Sequence, residues 1–293
     1  MNEGIIMKSL SGFYTVSDGE KEIVCRGRGR LRIEGMSPLV GDRVSFERLA
    51  DGSGTVLSVL PRKNFFIRPA VANIDLMVIV AAAVNPVSDP FVLDRMTALA
   101  ERHDCRVLIC LNKADLDPGD ELCAIYERAG YRVLRTSAVT GQGTEELAEA
   151  LKGCTAAFSG NSGVGKSSLL NALQPGLELR CGEVSEKLGR GRHTTRHVEL
   201  FPLSFGGFLA DTPGFGSFDL EQMESVSCEE LPRCFPEFAP YLGKCRFDDC
   251  AHGKEPDCAV RAAVAEGLIP ASRHASYLRL WQEASRLRSW EQK

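Results

Sequence analysis

Residues Gly160, Asn161, Ser162, Gly163, Val164, Gly165, Lys166 and Ser167 follow the spacing G-x-x-x-x-G-K-S. Glycines let main-chain N–H groups converge on phosphate oxygens, and a helix starting after them adds the partial positive charge of its N-terminus. A lysine placed there reaches terminal phosphates, and the next hydroxyl can ligate Mg2+. The flanks agree: TAAFS (155–159) reads as a strand and SSLLNAL (167–173) as a helix, with Ser168 in the same first turn.

A second polar constellation precedes the first in the chain. Asn112, Lys113, Ala114 and Asp115 form N-K-x-D after the apolar run RVLIC. Guanine presents N1–H and an exocyclic NH2 side by side, and one carboxylate can accept both. Adenine lacks that pair of donors, so a site that would strand its carboxylate discriminates by about 10⁴ or more. Asn112 can tie the loop together, and the Lys113 stem can cover the ring face. Ser137 and Ala138, after the strand YRVLRT, can offer a main-chain N–H to the base oxygen.

Further along, Asp211-Thr212-Pro213-Gly214 ends the strand GGFLA. A carboxylate there can hold Mg2+ through water, and the Gly214 amide can sense a γ-phosphate. Between the phosphate loop and Asp211 lies LGRGRHTTRHVE (188–199), a loop that could order around Mg2+, with Thr194 or Thr195 as the ligand and Thr195 favoured. Phe215 stands where Ras-type GTPases place a water-orienting glutamine. A phenyl ring cannot orient water, so slow intrinsic hydrolysis and acceleration by a partner are expected.

Cys245, Cys250, His252 and Cys258 put three thiols and an imidazole within fourteen residues. That donor set suits tetrahedral Zn2+, and four protein ligands make a closed, structural site. Cys228 and Cys234 precede the cluster and receive no role.

These residues need elements to place them. The 293 residues, 44% hydrophobic and 25% charged, suffice for two or three domains with sizeable cores. Residues 1–68 alternate apolar and polar types between Gly-Asp, Asp-Gly and Gly-Ser turns, the pattern of a barrel or sandwich of about five strands. This part carries eleven Lys and Arg against eight Asp and Glu, a net of +3 where the whole chain has −4. Its cations gather in RGRGRLR (26–32), which offers phosphate contacts to RNA. Residues 69–217 alternate buried strands with amphipathic helices, the mark of a parallel sheet. Residues 218–293 are irregular and rich in Pro, Cys and acids before a closing helix, PASRHASYLRLWQEASRLR, so little core is expected there and metal binding would supply folding free energy. The longest apolar run, LMVIVAAAV (76–84), is too short for a bilayer, so no membrane partner is expected. Eleven cysteines, an odd number, fit a reducing cytoplasm.

The motif order NKAD, SA, GNSGVGKS, HTT, DTPG resembles a circularly permuted GTPase. With its flanks, nearly the whole chain resembles the ribosome small-subunit-dependent GTPase family of bacteria. The resemblance implies an N-terminal OB-fold (1–68), a permuted α/β P-loop GTPase domain (69–217) and a mostly α C-terminal zinc domain (218–293). It implies binding of GTP and GDP with Mg2+ held by Ser167 and Thr195, and one structural Zn2+ on the Cys/His cluster. It implies partners in the 30S subunit and 16S rRNA, with a monomer expected, and a role in late 30S maturation with ribosome-stimulated hydrolysis. Lys166, Thr195 and His193 are then the candidate catalytic residues. His193 is also the nearest titratable group in that stretch. One departure is Arg196, where the family commonly has a third hydroxyl residue; it leaves the Mg2+ ligand open between Thr194 and Thr195. A nucleotide-gated RNA-binding scaffold with incidental hydrolysis is the competing class, and an ATP-using P-loop enzyme is opposed by NKAD. Permutation itself requires a link near Leu151–Thr155, and it leads the segment after Gly214 straight into the last domain, wiring nucleotide state to a partner-binding module.

Overall fold

The structure is a computed structural model that describes residues 2–27, 37–67, 69–176, 198–211 and 224–291. The chain divides into two compact units, one of Met1–Leu76, Leu147–Phe158 and Leu170–Gln222, the other of Met77–Glu146, Ser159–Leu169 and Met223–Lys293.

In the first unit, β1 (Asn2–Leu10), β2 (Phe13–Ser17), β3 (Glu22–Gly27), β4 (Arg43–Arg48) and β5 (Gly54–Val59) close on themselves. β1 pairs with β2, β2 with β3 and β4 with β5, all antiparallel; β3 runs parallel to β5, and β4 returns antiparallel to β1. This closure is the five-stranded barrel expected from the alternation. Every second residue turns inward, so Ile6, Val16, Ile23, Val44, Phe46 and Val56 fill a small apolar core. Only Arg26 and Gly27 of the basic run RGRGRLR are among the described residues. The barrel's exit is held by Asp42, fully buried, which accepts from Arg62 at 2.7 and 2.8 Å and from the Leu39 amide at 2.7 Å. A hairpin of β6 (Phe65–Ile67) and β7 (Ala70–Ala72) follows.

The same unit carries three strands of the α/β part. β11 (Thr155–Ser159) and β13 (Phe208–Asp211) run parallel, as expected from TAAFSG and GGFLAD. β12 (Glu199–Pro202) lies antiparallel to β13 and touches β1 through the pair Lys8–Glu199, an ion pair of 2.8 Å.

The second unit opens with the alternation read from the sequence: β8 (Leu76–Ala82), α1 (Pro90–Arg102), β9 (Arg106–Asn112), α2 (Asp120–Arg128) and β10 (Arg132–Arg135); α3 (Thr144–Leu151) starts in this unit and is assigned to the first from Leu147 onward. β9 and β10 are parallel, and β8 is buried along its whole length. The first turn of α4 (Lys166–Leu173) belongs here, as do two short 3-10 turns (Leu231–Cys234 and Pro236–Phe238), α5 (Ala259–Ala265) and α6 (Ala271–Glu291).

The C-terminal segment departs from the expectation of a poor core. Phe235, Phe238, Val260, Ile269 and Tyr277 are buried together with Phe91 and Ala98 of α1. Phe235 meets Tyr277 edge-on with ring centroids 5.4 Å apart. The irregular backbone hid this core, because its aromatics come from turns with no period to betray them.

Arg273 of α6 is fully buried among the same groups. It donates to Asp94 at 2.8 Å and Thr97 at 2.9 Å, both on α1, and to Glu237 at 2.7 and 3.2 Å. Its guanidinium also lies over Phe235, 4.5 Å from the ring centroid. Burial opposes the charge, but Asp94 and Glu237 outweigh it and hold the Arg273 pKa well above the usual value. Removing the arginine would leave two carboxylates buried together. Arg273→Leu is expected to lower the unfolding free energy by about 3–5 kcal/mol, read as a fall in the denaturant midpoint. An unchanged midpoint would show that the cluster contributes no net stability.

Candidate functional site

The base loop and the phosphate loop meet through one side chain. Asn112 ends β9 and is 2% exposed. Its Nδ2 donates to the Val164 carbonyl at 2.9 Å, and its Oδ1 accepts from the Thr136 hydroxyl at 3.3 Å. The amide therefore joins strand end, phosphate loop and the end of β10. Thr136, which the sequence reading did not single out, also accepts the Ala114 amide at 3.1 Å. Its one visible signal is position: it directly precedes Ser137-Ala138.

Around this tie the loops take shapes few residue types allow. Lys113 adopts φ 64°, and its carbonyl accepts from Leu116 and Asp117 at 2.9 and 3.1 Å, turning the chain so that Asp115 is exposed. Ser137 is buried, its hydroxyl accepting from the Thr140 amide at 3.2 Å, while Ala138 is half-buried. In the phosphate loop Gly160, Gly163 and Gly165 adopt φ of 140°, 82° and 91°. A Cβ on Gly160 would stand 2.2 Å from the Val80 carbonyl oxygen, and one on Gly165 would stand 2.4 Å from Asn112 Nδ2. Gly165 is thus required twice, by its own φ and by the approach of Asn112.

Val164 is buried beneath the loop, Asn161 is half-buried, and Ser162, Ser167 and Ser168 are exposed. Lys166 lies back across the loop, its Nζ donating to the carbonyls of Gly160 at 2.6 Å and Asn161 at 2.8 Å. Burial pulls its pKa below the usual lysine value. A phosphate can exchange for those two carbonyls and return a full opposite charge to the ammonium. His193, Thr194, Thr195 and Gly214 lie outside the described residues. Asp211 ends β13 with its backbone paired to Glu199.

The second cluster assembles as the spacing suggested. Cys245 Sγ and Cys258 Sγ are 3.8 Å apart, each 3.5 Å from His252 Nδ1, and all four ligand atoms, Cys250 included, lie within 4.8 Å of one another. A tetrahedral Zn2+ with Zn–S of about 2.3 Å and Zn–N of about 2.0–2.1 Å has edges near ~3.8 Å (S to S) and ~3.5 Å (S to N). The donor set therefore fits a closed tetrahedral site. Burial pushes the Cys250 thiol up to about 12 and pulls the His252 pKa below the usual imidazole value. Outside the ligands, His274 Nε2 lies 2.9 Å from the His252 carbonyl and Tyr277 donates to the Ala251 carbonyl at 3.0 Å. Cys228 and Cys234 stay apart from the cluster: Cys228 Sγ sits 3.2 Å from Ser285 Oγ, and Cys234 donates to the Glu230 carbonyl. No disulfide joins the cysteines among the described residues.

The Asn112–Gly165 approach has a measurable consequence. Gly165→Ala is expected to weaken nucleotide affinity by about tenfold or more, since it must displace Asn112 or strain the loop. Titration of a fluorescent guanine nucleotide checks this, and wild-type affinity in the variant would contradict the close approach.

Residues 59–221 match the model of the RsgA GTPase and residues 3–56 that of the RsgA N-terminal domain. A small ribosomal subunit biogenesis GTPase RsgA of Caldanaerobacter subterraneus subsp. tengcongensis is 45% identical over 284 residues, 96% of this chain and 95% of that protein. That of Moorella thermoacetica is 47% identical over 278 residues, 94% and 95% of the two chains. The crystal structure of YjeQ from Thermotoga maritima is similar with a TM-score of 0.82 at 36% identity, covering 97% of this chain and 98% of that one. YloQ, a circularly permuted GTPase, is similar with a TM-score of 0.79 at 37% identity, covering 98% and 96%. Matched from the barrel through both nucleotide loops, the chain belongs to the RsgA GTPase family.

Proposed function

We propose that this protein hydrolyses GTP on the small ribosomal subunit late in that particle's assembly, and that the subunit stimulates turnover. The observation that supports the nucleotide part is the bond from Asn112 to the Val164 carbonyl, which brings N-K-x-D and the phosphate loop together. The ribosomal part is supported by relatives named small ribosomal subunit biogenesis GTPases that are 45% and 47% identical over almost the whole chain.

Within this reading Asp115 accepts the guanine N1–H and NH2, the Ala138 amide donates to the base oxygen, and the Lys113 stem covers the ring. The amides of residues 161–167 and the Lys166 ammonium hold the phosphates. Bound Mg2+ would neutralise charge on the terminal phosphates, with Ser167 and Thr195 as ligands and Asp211 acting through water. The Gly214 amide senses the γ-phosphate. With Phe215 in place of a water-orienting glutamine, His193 takes that role when the subunit is bound. The zinc cluster of Cys245, Cys250, His252 and Cys258 holds the C-terminal domain together and does no hydrolysis. The chain is read as an OB-fold over 1–68, a permuted GTPase domain over 69–217 and a zinc domain over 218–293, working in the cytoplasm as a monomer.

Contact with 16S rRNA is assigned to the barrel. Arg26 lies 4.9 Å from the Phe13 ring centroid, and Leu10, Phe13 and Val24 are exposed on neighbouring strands. A cation beside an open aromatic ring suits phosphate and unstacked bases together.

GTP hydrolysis with and without purified 30S subunits tests the reading. The wild-type rate is expected to rise with 30S, Lys166→Ala to lose nucleotide turnover, and His193→Ala to lose about 10²-fold of the stimulated rate while keeping GTP binding. No stimulation by 30S would defeat the ribosomal reading, and an unchanged His193→Ala rate would remove that side chain from the mechanism. Metal analysis is expected to find about one Zn2+ per chain, absent from Cys258→Ser. A metal-free wild type that melts at the same temperature after chelation would remove zinc from the account.

A further inference from the structure

The loop between β8 and α1 is not part of either nucleotide motif, yet it touches both. Lys113 Nζ donates to the Asn85 carbonyl, and a Cβ on Gly163 would meet Pro86 Cδ at 3.2 Å. One short turn therefore stands against the lysine of the base loop and the middle glycine of the phosphate loop.

This turn is closed at its base. The Ser88 hydroxyl accepts from the Ala82 amide at 2.9 Å, and the Ser88 amide donates to the Ala82 carbonyl at 2.9 Å. Ser88 is 2% exposed, so both bonds are shielded from water. Directly after it, Asp89 caps α1 by accepting the Phe91 amide at 2.9 Å. Residues 83–87 are thus a small loop clamped between a buried strand and a capped helix. At its apex Asn85 adopts φ 40°, a left-handed conformation open to Asn and Gly and hostile to β-branched side chains.

We infer that this loop is a third wall of the nucleotide site, and that Asn85 is a positioning residue which, through its main-chain carbonyl, holds Lys113 where its stem covers the purine. The inference rests on the guanine-nucleotide reading of the two motifs and extends it. A long lysine side chain is costly to order, because it gives up rotamer freedom. An acceptor already fixed on the loop between β8 and α1 removes part of that cost. The loop reads no base edge, so it sets affinity for purine nucleotides and leaves the choice of guanine to Asp115.

Because the acceptor is main chain, the lever is backbone conformation. Release of fluorescent mant-GDP from the full-length protein is the readout. Asn85→Val, which disfavours positive φ, is expected to release GDP about tenfold faster. Asn85→Gly, which keeps both the φ and the carbonyl, is expected to rescue release to within about twofold of wild type. In a Lys113→Met background the valine should add less than about twofold. A loss of fold in general would give neither the rescue nor the dependence on Lys113. Wild-type release from Asn85→Val, or an undiminished effect without Lys113, overturns the inference. Should Asn85→Val lower the melting temperature, Asn85→Ala decides by the same comparison with a smaller expected change. Wild type that binds no GDP defeats the nucleotide reading itself, whereas wild type that binds GDP beside an indifferent Asn85→Val defeats only the role of Asn85.

Discussion

The nucleotide site depends on a buried amide. Asn112 reaches across 52 residues of chain to the Val164 carbonyl, and most of what is particular about the site follows from that bond. It requires a glycine at 165, because any Cβ would collide with the donor. It requires a donor for the oxygen end of the amide, which Thr136 supplies with its hydroxyl. An Asn buried without partners would cost free energy. Partnered on both ends, it fixes the register of three loops that share no sequence neighbourhood. Asp115 can then remain exposed for a ligand, since the structural work of the motif falls on its first residue.

A comparable economy holds the C-terminal segment. Arg273 meets two carboxylates, a hydroxyl and an aromatic face without contact with water. Asp94 and Thr97 come from α1, Glu237 from a 3-10 turn, and the arginine from α6, so elements far apart in sequence are bound to one guanidinium. The planar fork of arginine suits this and a lysine would not. The segment therefore has two sources of order, an aromatic core and this ion cluster, beside a Cys/His group that could hold a metal ion.

Legibility followed the kind of physics each part uses. The glycine-lysine loop and the N-K-x-D turn stood out in the sequence because their residue types recur at set spacings, and the structure joins them through Asn112 and Val164. The barrel strands showed through their alternation, and β8 and β9 through unbroken apolar runs, since burial on one face or two leaves a period in the sequence. The Cys/His cluster was readable as types in proximity. Hidden were the contacts that depend on tertiary placement alone. Nothing near Arg273 in sequence marks it as buried, and charged residues are buried only when partners arrive from elsewhere. Phe235 and Phe238 sit in a Pro-rich stretch with no helical or strand period. Asn85 acts through its carbonyl, which every residue has, so only the geometry of the turn distinguishes it.

The reversed motif order has a physical account in the link that permits it. α3 ends at Leu151 and β11 begins at Thr155, so three residues make the join. Gly153, at φ 71°, turns the chain, and the Cys154 amide donates back to the Leu151 carbonyl at 3.0 Å. The same turn is bonded to the β12–β13 hairpin: the Gly153 amide donates to Gly206 at 3.3 Å, and Phe208 donates to Cys154 at 2.8 Å. A Cβ on Gly207 would lie 2.5 Å from the Cys154 carbonyl oxygen, so the hairpin itself must narrow to glycine to accept the link. Loop-closure entropy is small for so short a connection between ends that already lie together. Joining them disturbs no strand pairing, and the base loop can come first in the chain without moving in the site.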